Sequence, residues 1–153
     1  MSKLPTFIIS DQDERTWQSS DLKGNWAVLY AYPKAMTPGC TQETRDFRDL
    51  AAKFKKLQCF IFGISADTVD RQKTFAEKEN ISFPLLADTE KELVQALGIW
   101  IEKSMYGRKY MGIERSTFLI DPTGTIVHRW PKASVPGHAA AVYATLHTLV
   151  TSA

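Results

Sequence analysis

A layered α/β domain is the fold class this sequence predicts, and three observations predict it. Short runs rich in aromatic and β-branched residues, bounded by Pro, Gly and Asp, alternate along the chain with stretches whose apolar positions recur at helical spacing. Near the end two such runs flank Asp121-Pro122-Thr123-Gly124, and one more helical stretch closes the chain. No linker, repeat or low-complexity segment divides the 153 residues, of which 44% are hydrophobic and 24% charged, so a single domain over 1–153 with one sizeable core is expected.

Taken in order, residues 7–10 and 15–18 read as two short strands around Asp11, Gln12 and Asp13, an N-terminal β-hairpin. Ser20, Asp21 and Leu22 suggest a helical turn stopped near Gly24. Residues 26–32 are dense in apolar and aromatic side chains and read as a strand, which Pro33 ends by removing a ladder donor. Thr37 and Pro38 then signal a helix start, a hydroxyl cap followed by proline at the first helical position. Phe47, Leu50, Ala51 and Phe54 give that helix one buried stripe. Residues 57–65 form the next apolar run, a buried strand with Cys59 near its start. Residues 67–80 read as a helix with an acidic cap, 83–87 as a short strand, and 89–97 as a second short helix stopped by Gly98. Residues 99–110 show no clear period and are expected to be a long surface loop. Residues 116–120 and 126–130 form a hairpin, and a helix over about 137–151 buries Val142, Leu146 and Leu149.

The segment YAYPKAMTPGCTQETRD, from Tyr30 to Asp46, delivers a cysteine to a helix's first turn. With Thr37 as the cap, Cys40 is the third helical position, beside unpaired backbone N–H groups and the positive end of the helix dipole. Both favour thiolate over thiol. A capping box would place Glu or Gln there, so the cysteine stands where an anion is best stabilised. Lone cysteines are by default small, inert, buried hydrophobes. The Thr-Pro-Gly approach and the polar turn Thr41, Gln42 and Glu43 separate Cys40 from that default, and it reads as an activated nucleophile.

Composition excludes several classes. The MSKLPTF start lacks the basic and long apolar regions of a secretory signal, and no later stretch is long enough to span a membrane, so a soluble cytoplasmic protein without a membrane partner is expected. Two cysteines in a chain this long make no disulfide scaffold, which suits a reducing compartment. A net charge of +2 gives no reason to expect nucleic acid, and Lys53, Lys55 and Lys56 close a helix as a solvated face. His128, His138 and His147 lack metal-ligand spacing and read as surface or boundary residues, so no metal and no cofactor are expected. Tyr32, ending a buried strand, reads as core.

Pro33, Thr37 and Cys40 spell P-x-x-x-T-x-x-C, and with Glu43 they resemble the active-site motif of peroxiredoxins, thiol peroxidases on a thioredoxin-like fold. YPKAMTPGCT is similar to the subgroup called PrxQ or bacterioferritin comigratory protein. The likeness continues through FGIS ending at Ser65, FPLLAD ending at Asp88, GIW ending at Trp100 and ERSTFLID ending at Asp121, covering nearly the whole chain. It implies a central mixed β-sheet flanked by helices with an N-terminal β-hairpin. It also implies reduction of hydrogen peroxide and organic hydroperoxides through a sulfenic acid on Cys40. By the same resemblance Thr37, the Cys40 N–H and Arg115 hold the peroxide, Pro33 shields the thiolate, and Glu43 orients Arg115. Read without it, Arg115 would be a surface arginine before an edge strand. The implied partners are a peroxide and a thiol reductant such as thioredoxin, glutaredoxin or glutathione, in a monomer or weak homodimer.

The sequence departs from the subgroup's fuller pattern. The position five residues past Cys40, where many members carry a resolving cysteine, is Arg45, and residues 67–80 contain no cysteine. Only Cys59 remains, and its strand setting reads as a buried structural thiol. A one-cysteine mechanism with an external thiol as resolver is therefore implied. Two other classes are weighed against this. A thiol–disulfide oxidoreductase of the same fold would need C-x-x-C, yet Thr37 and Glu43 stand three positions from Cys40. A redox-sensing module would lack fast peroxidase activity. A cysteine phosphatase loop would need arginine where Asp46 stands.

Overall fold

Alternation along the first long strand shows how the core divides. In the computed structural model, which describes residues 2–152, the strand β4 (Trp26–Ala31) sends Val28 and Tyr30 to one face of the sheet and Ala27, Leu29 and Ala31 to the other. Both faces are buried, as expected for a strand flanked by other strands with helices on the sheet. The remaining elements are β1 (Ser2–Lys3), β2 (Ile8–Ser10), β3 (Thr16–Gln18), a 3-10 turn (Ser19–Leu22), α1 (Pro38–Lys56), β5 (Cys59–Ser65), α2 (Val69–Glu79) and β6 (Leu85–Ala87). They continue with α3 (Glu92–Ala96), β7 (Trp100–Met105), β8 (Arg108–Ile113), β9 (Ser116–Ile120), β10 (Thr125–Trp130) and α4 (His138–Thr151).

Six strands form one mixed sheet in the order β1-β10-β9-β4-β5-β6. β4, β5 and β6 run parallel, while β9 is antiparallel to β4 and β10 to β9. Two further antiparallel pairs stand apart, β2 with β3 and β7 with β8. Phe47 and Phe54 of α1, Phe75 of α2 and Val142 and Leu146 of α4 cover the face of Val28 and Tyr30. Leu93 and Val94 of α3 and Phe7 and Ile9 by the first hairpin cover the other. This is the mixed, helix-flanked sheet with an N-terminal hairpin that the resemblance implies.

Helix α1 is held firmly. Phe47 and Phe54 are fully buried, and the Phe47 ring stacks on Tyr30 at 4.6 Å. Truncating such a phenylalanine costs about 3–5 kcal/mol, so the packing that anchors the helix also fixes its first turn.

Three local readings need correction. Residues 99–110, expected as a loop, lie mostly in the β7–β8 hairpin, whose strands are largely exposed, so no apolar alternation marks them. Its tip, Tyr106-Gly107, has φ +52 and +78, the positive pair that a tight hairpin turn demands and that glycine accepts at its second position. The cap of α2 is Thr68, whose side chain accepts from the Arg71 N–H, and not the acidic Asp67. Asp67 instead accepts from Ser65 and from the Ala35 N–H in the loop before α1. Leu149 is only half-buried, while Val142 and Leu146 are fully so.

Candidate active site

Cys40 is the third residue of α1, with Thr37 at the cap, Pro38 first and Gly39 second. The Thr37 hydroxyl donates to the Lys34 carbonyl at 2.8 Å and makes no cap bond, contrary to the expected hydroxyl cap. The Cys40 N–H therefore keeps no side-chain partner and faces outward with the helix's positive end. The thiol itself is buried, at 1% exposure.

Among the described residues one cation lies within hydrogen-bond range of it. Arg115 Nη2 lies 3.4 Å from Cys40 Sγ, and Arg115 Nη1 donates to Glu43 Oε1 at 2.6 Å. Arg115 immediately precedes β9, which lies inside the sheet between β10 and β4 and not at its edge. Gly39 makes the approach feasible, since a Cβ there would sit 3.1 Å from Arg115 Nη2. Glu43, one helical turn after Cys40, is 1% exposed, so the guanidinium fork is clamped between a carboxylate and a sulfur on one helix face.

The loop between β4 and α1 is pinned from the neighbouring strand. The Ala35 N–H donates to Asp67 at 2.8 Å, Arg71 donates to Asp67 at 2.9 Å, and Arg71 also reaches the Ala35 carbonyl. Met36, at φ +66, is held in the left-handed region inside this loop. Pro33 follows the strand in a bend and is half-buried. Tyr32 is fully buried and its hydroxyl donates to Gln72 at 2.6 Å, which accords with its reading as core.

Sequence reasoning missed three residues here. His138, read as a surface or boundary residue, is 6% exposed, with Nε2 2.7 Å from Thr117 Oγ1 and 4.0 Å from Glu43 Oε2. The only signal was its place at the first position of α4; His128 and His147 are exposed as expected. Lys103 lays its stem across Gly112, where a Cβ would meet its Cδ at 3.3 Å, and brings a further cation toward Arg115. Burial and then Arg115 push its ammonium down from the usual value. Asp67, which reads in the sequence as a helix cap, instead accepts from the Ala35 N–H. Among the described residues no three of His, Cys, Asp and Glu cluster as a metal ion would require.

Burial lifts the Glu43 carboxyl from 4.5 to about 7, against the opposing pull of Arg115. In the unfolded chain it returns to about 4.3–4.5. Between those values the folded state holds a proton that the unfolded state has released. The stability this group contributes is therefore full below the unfolded value and is lost as pH rises through the folded one. Scanning calorimetry should show the melting temperature of wild type falling, relative to Glu43→Gln, as pH rises from about 4.5 to about 7. Parallel profiles for the two proteins would contradict the assignment.

Cys59 is a different kind of thiol. It is 4% exposed in β5, and burial pushes it up to about 12. It pairs in register with Trp26 at the start of β4, whereas Cys40 follows that strand's far end. From Cys40 to Lys56 the helix rises about 24 Å at about 1.5 Å per residue, far beyond the roughly 7 Å within which two Cα atoms can be bridged.

Residues 1–129 match the AhpC/TSA family. The chain is 44% identical over 144 residues to peroxiredoxin Bcp of Bacillus subtilis, covering 94% of this chain and 92% of that protein. It is 40% identical over 134 residues to peroxiredoxin Bcp of Escherichia coli K12, covering 88% and 86%. A solved structure of the Xanthomonas campestris bacterioferritin comigratory protein, described for its alkyl peroxide reduction activity, superposes with a TM-score of 0.90 at 40% identity. That likeness covers 94% of this chain and 92% of the other. Among the described residues no helix is long and apolar enough to cross a membrane.

Proposed function

The chain belongs to the AhpC/TSA family and is a thiol-dependent peroxidase of the Bcp/PrxQ kind, and from that premise we propose that Cys40 is its attacking sulfur. The observation that carries this reading is the Cys40–Arg115–Glu43 clamp at the first turn of α1. In it the thiolate faces a fixed cation and an N–H that no side chain occupies.

Reduction of a hydroperoxide follows from this geometry. The Cys40 thiolate attacks one peroxide oxygen in line with the O–O bond, forming S–O as O–O breaks, and the other oxygen leaves as hydroxide or alkoxide and takes a proton from water. Negative charge passes from sulfur to the leaving oxygen. Arg115 Nη2 and the Cys40 N–H are donors already aimed at that charge, and they need no reorganisation as it forms. The Thr37 hydroxyl has its hydrogen on Lys34, so it offers lone pairs to the proton of the bound peroxide. Pro33, half-buried after β4, is assigned the shielding of the thiolate from water. Glu43 keeps the guanidinium fork in plane. Hydrogen peroxide and organic hydroperoxides both supply the O–O bond, so both are substrates.

The sulfenic acid left on Cys40 is resolved by an external thiol such as thioredoxin, glutaredoxin or glutathione. That thiol displaces water to form a mixed disulfide, and a second thiol releases Cys40. The supporting observation is the position of Cys59, buried and at the other end of the sheet. We place the protein in the cytoplasm, as a single domain over 1–153 acting as a monomer or weak homodimer. The test is Cys59→Ser, expected to turn over peroxide with a small thiol or a glutaredoxin at close to the wild-type rate. A non-reducing peptide map after one equivalent of peroxide should show sulfenic and then sulfinic acid at Cys40. A dominant Cys40–Cys59 linked peptide would sink the one-cysteine mechanism, and linkage between chains would move the resolver to a second copy.

A further inference from the structure

Glu43 Oε2 is buried and has no hydrogen-bond partner, the one such side-chain atom among the described residues. Its other oxygen is taken by Arg115, so Oε2 is the atom on which a proton sits without disturbing the Arg115 contact. The facing polar group is His138 Nε2 at 4.0 Å, which also contacts the fully buried Thr117 hydroxyl at 2.7 Å. His138 is walled by Phe47 and Trp130, each edge-on at 6.1 Å, so the pair is shut off from solvent.

The charges around this pocket do not balance if Cys40 ionises alone. On α1 stand Cys40, Glu43 and, one turn further and half-buried, Asp46; before β9 stands Arg115, on β9 the neutral Thr117, on α4 His138, and on β7 the half-buried Lys103 near the rim. At contact distance a thiolate, a carboxylate and one guanidinium make a net negative charge where burial penalises it, and the Lys103 ammonium at the rim offsets it only in part. With the thiol protonated, Glu43 and Arg115 cancel.

We propose that His138 is a positioning residue for the peroxidase reaction: the Glu43–His138 pair takes up the proton that Cys40 gives up, so the thiolate forms beside Arg115 with no net charge added to the buried site. The proton leaves Cys40 Sγ and is taken up by the pair, whose facing atoms Glu43 Oε2 and His138 Nε2 stand 4.0 Å apart, while burial and Arg115 hold the ring's own proton affinity down. Before the step the site holds thiol, carboxylate, neutral imidazole and guanidinium; after it, thiolate, a neutralised pair and guanidinium. Arg115 then faces one anion in place of two, and its charge goes to the sulfur. The inference rests on Cys40 being the reactive thiol.

Linkage makes the claim reciprocal, because whatever the pair's proton does for the thiolate, the thiolate does for the pair. The first experiment compares wild type with His138→Gln, which keeps a hydrogen bond to Thr117 and takes no proton. Thiolate absorbance at 240 nm reports Cys40, since Cys59 is pushed up to about 12. The Cys40 thiolate titration should move to higher pH, and kcat/KM for hydrogen peroxide should fall about tenfold at about pH 7 and recover at about pH 9, a factor within the usual range of coupling between sites. Loss by one constant factor at every pH would mean a merely structural role and overturn the proposal. The second experiment needs no change at His138. Ring 15N shifts of His138, followed against pH in wild type and Cys40→Ser, should show the ring releasing its proton at lower pH in the serine protein. Superimposable ring titrations would overturn the proposal, whatever the kinetics of His138→Gln. Neither result bears on which cysteine attacks peroxide, which is read from activity in Cys40→Ser.

Discussion

Cys40→Ser, reduced and mixed with hydrogen peroxide and excess thiol, will lose about 10^4-fold or more of its turnover, the order expected when a nucleophile is deleted and only binding groups remain. The substitution exchanges sulfur for a smaller, similarly shaped oxygen at a buried position, so the fold and the Arg115–Glu43 contact are expected to survive, with the melting temperature near that of wild type. A serine hydroxyl is not ionised at neutral pH, and its oxygen is a poor nucleophile toward another oxygen. Cys59 does not substitute for it, because burial pushes that thiol up to about 12 and it lies in a strand, away from any helix's positive end. Retained turnover in the serine protein would remove Cys40 from the mechanism.

Arg115→Ala carries the second large effect. Removing a preorganised donor to developing charge costs about 2.7–4 kcal/mol, or about 10^2–10^3 in rate. Part of this comes from a smaller thiolate fraction and part from lost stabilisation of the leaving oxygen. Assaying the variant above its own thiolate titration separates the two, and at least tenfold of the loss should persist there by the same reasoning. Arg115→Lys should recover little. A lysine ammonium is a point charge without the planar fork that contacts Glu43 Oε1 at 2.6 Å and Cys40 Sγ at 3.4 Å together. A variant that reduced peroxide at the wild-type rate once fully ionised would show that Arg115 acts on the thiolate alone.

Much of this site is local in sequence, and that part was legible. The cap position, the first-position proline and the third-position cysteine lie within four residues, and the helix starts where they place it, although the Thr37 hydroxyl bonds the Lys34 carbonyl in place of capping. Strands β4, β5 and β9 announced themselves because each is buried along nearly its whole length and composed accordingly. The β7–β8 hairpin did not, because its exposed strands bury too little to impose alternation, and its turn offered only one glycine as a signal. Arg115 is 75 residues from Cys40, and the role proposed for it is readable in the sequence only through family resemblance. His138 is harder still. Its burial against Glu43 depends on the crossing of α4 over α1 beside β9, and a histidine at a helix start carries no mark of what it will face. Asp67 was misplaced for a related reason, since an acidic residue before a helix is a common cap, and its bond to the Ala35 N–H spans 32 positions.

The central claim is that the first turn of α1 makes Cys40 the one thiol that attacks peroxide. A single-turnover stopped-flow experiment tests it most directly, mixing fully reduced protein with one equivalent of hydrogen peroxide and no added thiol, then digesting the quenched product for mass analysis. The account predicts rapid loss of one peroxide per chain, with a mass gain of one oxygen on the peptide carrying Cys40 and none on the peptide carrying Cys59. Peroxide loss no faster than with free cysteine at the same pH, or oxygen found on Cys59, would contradict it.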